Sequence, residues 1–170
     1  MLLPSTPTNV NFLQNAKWRF VIQRLPVLSF FIQSINVPSL SFGRRDVPTP
    51  FVRIPFAGDH LDYGELNVNF KVDENMANYI EVHNWMVGLG FPDSFEQHAN
   101  LLAVAPPKDK EYSDATLFIQ TNAKNVNVNI TYHKIFPVFI SDLEFDTGGV
   151  GNEVDCTVTF AYQKYTITRV

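Results

Sequence analysis

Three stretches of the chain alternate apolar and polar residues at period two, and this pattern limits the fold more than any other feature. Leu66, Val68, Phe70 and Val72 are separated by Asn67, Asn69 and Lys71. Val126, Val128, Ile130 and Tyr132 are interleaved with Asn125, Asn127, Asn129 and Thr131. Val154, Cys156, Val158, Phe160 and Tyr162 are interleaved with Asp155, Thr157, Thr159 and Ala161. Successive side chains of a strand point to opposite faces, so each stretch predicts a strand with one apolar and one polar face. Such half-wet strands belong to antiparallel sheets, because parallel strands covered on both sides read as unbroken apolar runs. Further strands are expected at Trp18 to Gln23, Leu28 to Ile35, Val52 to Phe56, Ala115 to Gln120 and Val138 to Phe145.

One segment changes period. From Asp73 to Gly90, the residues Met76, Tyr79, Ile80, Val82, Met86 and Leu89 recur at steps of three and four, which predicts an amphipathic helix. Asp73 is the expected N-cap and Glu74 suits the positive end of the helix dipole. Gly88 and Gly90 are placed to end the helix, and Pro92 prevents its resumption. Strands, one helix, then strands describe a mainly β (α+β) chain. The expected architecture is an antiparallel β-sandwich or barrel with one flanking α-helix and an extended arm or hairpin. With 170 residues, a single domain over 1–170 is expected.

Two stretches follow neither period. Residues 38–62 hold Pro38, Pro48, Pro50 and Pro55 together with Arg44, Arg45 and Arg53. Proline is excluded from central strand positions, so this is expected as an extended arm or an edge hairpin. Residues 91–113, with Pro106-Pro107 and mixed charges from Lys108 to Glu111, are expected as a long loop. Residues 1–16 are expected as an N-terminal arm. They show neither a basic region nor a long apolar stretch, so no secretory signal is expected, and a reducing cytoplasm is the expected place of synthesis. The longest apolar candidate, Leu25 to Ile35, is interrupted by Pro26, Ser29, Gln33 and Ser34, so no membrane insertion is expected.

Charge and chemistry narrow the function. A formal net charge of −4 argues against gripping nucleic acid by neutralising its phosphates. Charged residues make up 18%, below the usual ~25%, which leaves neutral or apolar surface that invites partners. The four histidines are dispersed; His83 reads as a packing residue, and His60, near Asp59 and Asp62, as part of a polar turn. Asp142, Glu144, Asp146 and Glu153 approximate the acid spacing of a calcium loop. However, Thr147 stands where that loop needs glycine, and Leu143 and Phe145 alternate with the acids. The segment is read as a strand with three outward acids, followed by an Asp-Thr-Gly-Gly turn. Asp93, Ser94 and His98 lie close together without a nucleophile-elbow motif. Cys156 alternates inward on its strand, and no glycine-rich phosphate loop is present. No enzyme activity, cofactor or metal is expected.

The order of features resembles the tail tube proteins of contractile-tail bacteriophages. The matching stretch runs from about Phe30 to Gly90: an apolar strand (FFIQSINVPSL), a proline-containing arm (SFGRRDVPTPFVRIP), a turn (PFAGDH), an alternating strand (LDYGELNVNFKVDEN) and a helix ending in Asn-Trp (MANYIEVHNW). The last third is similar in kind, with a Phe136-Pro137 break, an acidic strand (ISDLEFD) and a final alternating strand (EVDCTVTFAYQKYTI). The resemblance implies a β-domain with a flanking helix, six copies of which close into a ring around a channel. It implies stacked rings inside a contractile sheath, with a tape measure protein and then DNA in the lumen, contacts with baseplate or initiator proteins, and a place in the virion tail.

Three features of the residues agree with that expectation. Open sheet edges must be protected, and joining them between subunits does so. The arm carries Phe42, Phe51, Phe56, Arg44, Arg45 and Arg53, followed by Asp59 and His60; aromatics and arginine are enriched at interface hot spots. It is expected to reach a neighbouring ring and meet acidic surface, for which Asp142, Glu144, Asp146, Glu153 and Asp155 are candidates. A net negative protein suits a DNA conduit, and Asn67, Asn69, Asn125, Asn127 and Asn129 are candidates to line it or to face a neighbour. The alternatives are a tube initiator or baseplate-end ring of the same fold, the inner tube of a contractile injection system, and a carbohydrate-binding β-sandwich. The last requires an exposed aromatic platform that Trp18 and Trp85 do not clearly supply.

Overall fold

The alternating stretches fold as their period dictates. In the computed structural model, which describes residues 11–104, 111–148 and 153–170, Leu66, Val68 and Phe70 are buried on one strand, and Cys156, Val158 and Phe160 face them from the next. The elements in chain order are β1 (Trp18–Ile22), α1 (Pro26–Phe31), β2 (Ile32–Ile35), β3 (Leu40–Pro48), β4 (Arg53–Tyr63), β5 (Leu66–Lys71), α2 (Ala77–Gly90), α3 (Phe95–Val104), β6 (Ser113–Gln120), β7 (Val126–Ile140), β8 (Asp155–Ala161) and β9 (Lys164–Arg169). The main sheet has the order β1-β6-β7-β8-β5-β2 with β9 also on β7, and it does not close into a barrel. All of its pairings are antiparallel. β3 and β4 form a separate two-stranded sheet.

The long strand β7 organises the molecule. Its ladder runs without a register change from Val128↔Arg169 on β9 to Pro137↔Phe160 on β8, so β8 and β9 act as one bent partner. The bend falls at Lys134, whose φ is 53°, and at Gln163, whose N–H donates to the carbonyl of His133. The expected Phe136-Pro137 break is therefore not a break: Pro137 sits inside β7. It is tolerated because β6 has left β7 by Ile135, so the far edge of β7 is open there.

A single core fills the inside of the bend. Phe20 and Ile22 of β1, Leu117 of β6 and Tyr132 of β7 meet Leu66, Val68 and Phe70 of β5 and Val158 and Phe160 of β8, and Leu28, Val82, Trp85 and Leu101 cover them from the helices.

The helices differ from expectation. Leu28 to Ile35 is not one strand: α1 occupies 26–31 and only 32–35 is strand. Pro26 at the first helical turn needs no N–H partner and has its φ preset for helix. Residues 91–113 are not simply a loop, because α3 fills 95–104, while Pro106-Pro107 and residues 108–110 lie outside the described residues, as do residues 1–10 of the expected N-terminal arm. The backbone N–H of Asp93 donates to Gln97 Oε1 and Gln97 Nε2 donates back to Asp93 Oδ2, a reciprocal tie at the start of α3. Thus three helices, not one, accompany the sheets among the described residues.

α2 starts later than its period suggests. Met76 takes a left-handed φ of 55°, and the helix begins at Ala77. Asp73 is not the N-cap, although its carboxylate accepts the N–H of Asn78. Asn78 is fully buried: its Oδ1 accepts the N–H of Asp73 and of Tyr79, and its Nδ2 donates to the carbonyl of Lys71. The buried stripe is Asn78, Val82, Trp85 and Gly88, whereas Ile80 is exposed. Gly88 lies inside the helix, not at its end. A β-carbon there would stand 2.8 Å from Leu101 Cβ, so glycine is what lets α3 lie against α2. The helix stops where Phe91 turns left-handed and donates its N–H to Val87.

Candidate assembly interface

The arm is a hairpin, one of the two forms expected. β3 and β4 pair from Leu40↔Tyr63 to Pro48↔Arg53, and nearly every residue of both strands is exposed. At its tip, Thr49 Oγ1 donates to the carbonyl of Val52 and accepts the Val52 N–H, closing the turn and leaving Phe51 98% exposed. A bulge divides the hairpin between Phe42↔Leu61 and Arg44↔Ala57, with Gly43 opposite Gly58, Asp59 and His60. A β-carbon on Gly58 would lie 2.5 Å from the Gly43 carbonyl oxygen, so the two backbones meet without side chains between them. His60, Asp59 and Asp62 therefore lie in β4 and not in a turn, and His60 Nδ1 stands 3.6 Å from Asp59 Oδ1 in the open.

Pairing sorts the distal half into two faces. Opposed pairs share a face, so Arg45↔Phe56 and Val47↔Ile54 make one, while Arg44↔Ala57, Asp46↔Pro55 and Pro48↔Arg53 make the other. The three arginines are thus not equivalent. Arg44 is held within the arm by Asp46, Nε to Oδ1 at 3.2 Å, whereas Arg45 and Arg53 have no carboxylate at ion-pair distance among the described residues. Arg45 stands on the apolar face.

The candidate acidic surface also divides. β7 ends at Ile140, so Asp142, Glu144 and Asp146 do not lie on a strand as expected; they follow it in an irregular segment. The Asp146 carboxylate accepts the N–H of Gly148. Gly149, the last residue of the expected Asp-Thr-Gly-Gly turn, lies outside the described residues. Glu153 and Asp155 are occupied by Lys71, whose Nζ stands 3.4 and 2.8 Å from them. The hydrogen bond that Lys71 donates to Asp155 holds its ammonium above its ordinary pKa. Val138, Phe139 and Phe145, all exposed, flank the three remaining acids.

The asparagines form two groups, both on sheet faces turned from the core. Thr159 Oγ1 donates to Asn67 Oδ1 at 2.7 Å and Thr157 Oγ1 to Asn69 Oδ1 at 2.6 Å. Asn69 Nδ2 donates to Ser34 Oγ, and the Asn67 N–H donates to Asn36 Oδ1. This ladder crosses β8, β5 and β2, and its partners Ser34, Asn36, Thr157 and Thr159 become visible only once the register is known. Asn127 and Asn129 lie on β7 in the other half of the sheet, and Asn125 lies just before the strand.

Sequence reasoning missed a tyrosine cluster at the root of the arm. Tyr63, the last residue of β4, lies edge-on to Tyr162 and Tyr165, with ring centroids 5.9 and 5.4 Å away, and Tyr162 meets the buried Tyr132 at 5.2 Å. Burial pushes the Tyr132 phenol far above its ordinary pKa and pushes Tyr162 up to about 12. Four of the chain's six tyrosines gather here, but from three separate stretches of sequence, around residues 63, 132 and 162–165, that carry no common motif.

No family model matches the chain. In sequence it is similar to the tail tube terminator protein of Enterobacteria phage T4, at 25% identity over 153 residues, covering 80% of this chain and 82% of that protein. In structure it is similar to the tube terminating cap of the anti-feeding prophage, with a TM-score of 0.63, 12% identity and full coverage of both chains. It is also similar to a chain of the PVC extracellular contractile injection system sheath–tube complex, with a TM-score of 0.62, 11% identity, and coverage of 98% of this chain and 100% of the other. The PVC sheath/tube terminator follows with a TM-score of 0.57 at 11% identity, covering 96% of this chain and 98% of the other. The chain therefore carries the fold of the tube proteins of contractile tails and injection systems, and its likeness to the tail tube family, read from its motifs, is borne out by sequence and structure alike.

Proposed function

We propose that this chain is a structural component of a tail tube and forms the ring that terminates it. The observation that carries this reading is the sequence likeness to a tail tube terminator along most of both chains. The fold shared with a tube terminating cap supports it. The chain joins other copies through its open sheet edges into a ring, taken as hexameric, and docks on the last tube ring through the arm. A terminator needs one stacking face; a repeating tube subunit needs two complementary ones. The fold shared with a chain of a sheath–tube complex favours the repeating subunit as the second reading.

In this reading the apolar face of the arm, with Arg45, Val47, Ile54, Phe56 and the exposed Phe51, is the docking surface, supported by Phe42, Arg44, Arg53, Asp59 and His60. In the second reading, where copies of this chain stack on one another, its receiver is the acidic segment Asp142, Glu144 and Asp146, with Phe139 and Phe145 as apolar complement; Glu153 and Asp155 extend the negative surface. Asn67, Asn69, Asn125, Asn127 and Asn129 line the channel or meet a neighbour, and a neutral lining lets tape measure protein and DNA pass without binding. The sheath and the baseplate are further partners, and the assembled virion tail, built in the host cytoplasm, is the site of action. The protein has no catalytic part in this scheme.

Electron microscopy of the purified protein, alone and mixed with preformed tubes, tests the proposal. Rings that do not elongate and that cap tube ends are expected. Self-elongating hollow tubes would replace the terminator reading with the repeating subunit. A protein that neither forms rings nor binds tubes would overturn both.

A further inference from the structure

We infer that Tyr162 is a positioning residue that aims the arm. This deepens the proposed function, because an aimed arm matters only if the arm docks. The arm is a separate two-stranded sheet, and among the described residues its exposed strands pair with no strand of the body. Its two legs are tied to each other at the root, where the Gly64 N–H donates to the carbonyl of Ser39 at 2.9 Å. A β-carbon on Gly64 would stand 2.7 Å from Ser39 Oγ, so the legs close tightly there. That tie holds the hairpin together but does not set its direction.

Direction comes from the body. The hydroxyl of Tyr162 donates to the carbonyl of Gly64 at 2.8 Å, a bond between residues 98 positions apart in the chain. The Tyr162 and Tyr165 rings also receive Tyr63 edge-on, so the last residue of β4 rests on the pair. Tyr162 is itself held in place. It lies at the bend between β8 and β9, next to Gln163, whose N–H is bound by His133, and its ring packs against the fully buried Tyr132. A line of contact therefore runs from the core, through the bend of the sheet, to the root of the arm. The side chains on that line are bulky and ring-shaped, with few rotamers, which suits them to fix an angle.

The test is a spin-label distance measurement in solution on the full chain. Labels are placed at Phe51→Cys on the arm tip and Asn122→Cys on the body; Cys156 is buried and stays unlabelled. The parent protein is expected to give one narrow distance distribution. Tyr162→Phe keeps the ring and removes only the hydroxyl. It is expected to raise the ratio of displaced to seated arms about fivefold, which corresponds to about 1 kcal/mol. Tyr63→Ala, a change at the surface that spares the core, is expected to do the same or more, and it decides the matter should Tyr162→Phe fold poorly. Tyr63→Phe keeps the ring contacts and should match the parent. An unchanged distribution in folded Tyr162→Phe and Tyr63→Ala would overturn the inference. Binding to tube ends is scored in parallel and reports on the other claim: arms that swing freely yet dock normally would leave the aiming role standing and remove the arm from the interface.

Discussion

Tyr132 packs its ring edge-on against Phe20 and Tyr162 in the centre of the core, while its hydroxyl has no hydrogen-bond partner among the described residues. An unpaired buried hydroxyl costs about 1–3 kcal/mol. Tyr132→Phe is therefore expected to raise the free energy of unfolding by about 1 kcal/mol, read from chemical denaturation. The same burial predicts alkaline weakness. Tyr162 ionises at about 12 in the fold against 10.0 in a free phenol. Above the lower value the unfolded chain has lost a proton that the folded chain still holds, so stability falls with rising pH in that window and is unaffected below it. Phenolate absorbance during an alkaline titration should show late-ionising tyrosines whose release coincides with unfolding. Gly88 presents two opposed effects. Alanine gains about 1 kcal/mol in helix propensity, but its β-carbon would press on Leu101 at 2.8 Å. Overpacking costs about 1–3 kcal/mol, so Gly88→Ala is expected to lower the thermal midpoint, with the loss centred on the α2–α3 contact.

Among the elements, α1 shows how a short helix is made to form. It has six residues and no side-chain cap of its own. Its cap comes from α2: the Glu81 carboxylate accepts the Leu28 N–H at 3.3 Å. Burial raises the Glu81 pKa, and the hydrogen bonds from Leu28 and Val27 oppose that rise. Glu81→Ala is expected to cost about 1 kcal/mol in thermal unfolding, with Glu81→Gln retaining most of the cap. The period of each element was legible in the sequence wherever one face is wet. β5, the start of β7, and β8 appear close to where alternation places them, and α2 where the period lengthens. α1 and β2 were read as one strand because a six-residue helix is too short to show a period. α3 was read as loop because its start depends on the Asp93–Gln97 tie and its seat on a glycine in another helix. The acidic segment was read as strand because alternation of Leu143 and Phe145 with acids looks the same whether or not a neighbour supplies a ladder.

At the scale of the whole molecule, assembly depends on which exposed patches complement each other. Among the described residues, Arg45 and Arg53 of the arm and Asp142, Glu144 and Asp146 are without an ion-pair partner, since Arg44 is tied to Asp46 and Lys71 occupies Glu153 and Asp155; of these, Arg45 stands on the apolar arm face. In the second reading, where copies of this chain stack, Arg45→Glu and the double change Asp142→Lys with Glu144→Lys should each weaken self-association, measured by sedimentation across protein concentration. Combining them should recover about 1–2 kcal/mol of coupling. Purely additive losses would show that the arm meets a different surface. Raised salt should weaken the parent interaction in the same assay, because exposed charge pairs are screened.

The candidate site was legible in part. Proline spacing marked residues 38–62 as standing outside the sheet, and the hairpin does so, because proline cannot donate to a central ladder. The sequence by itself determined the antiparallel strands, the inward faces and the position of the arm, since all three follow from local periodicity and backbone chemistry. Only the tertiary structure decided that Arg45 parts from Arg44, that Asn67 and Asn69 accept hydrogen bonds from Thr159 and Thr157, and that four tyrosines from three distant stretches meet at the root of the arm. Those outcomes depend on register and on the bend at Lys134, where one residue of slip changes every partner, and no local pattern in the chain encodes them.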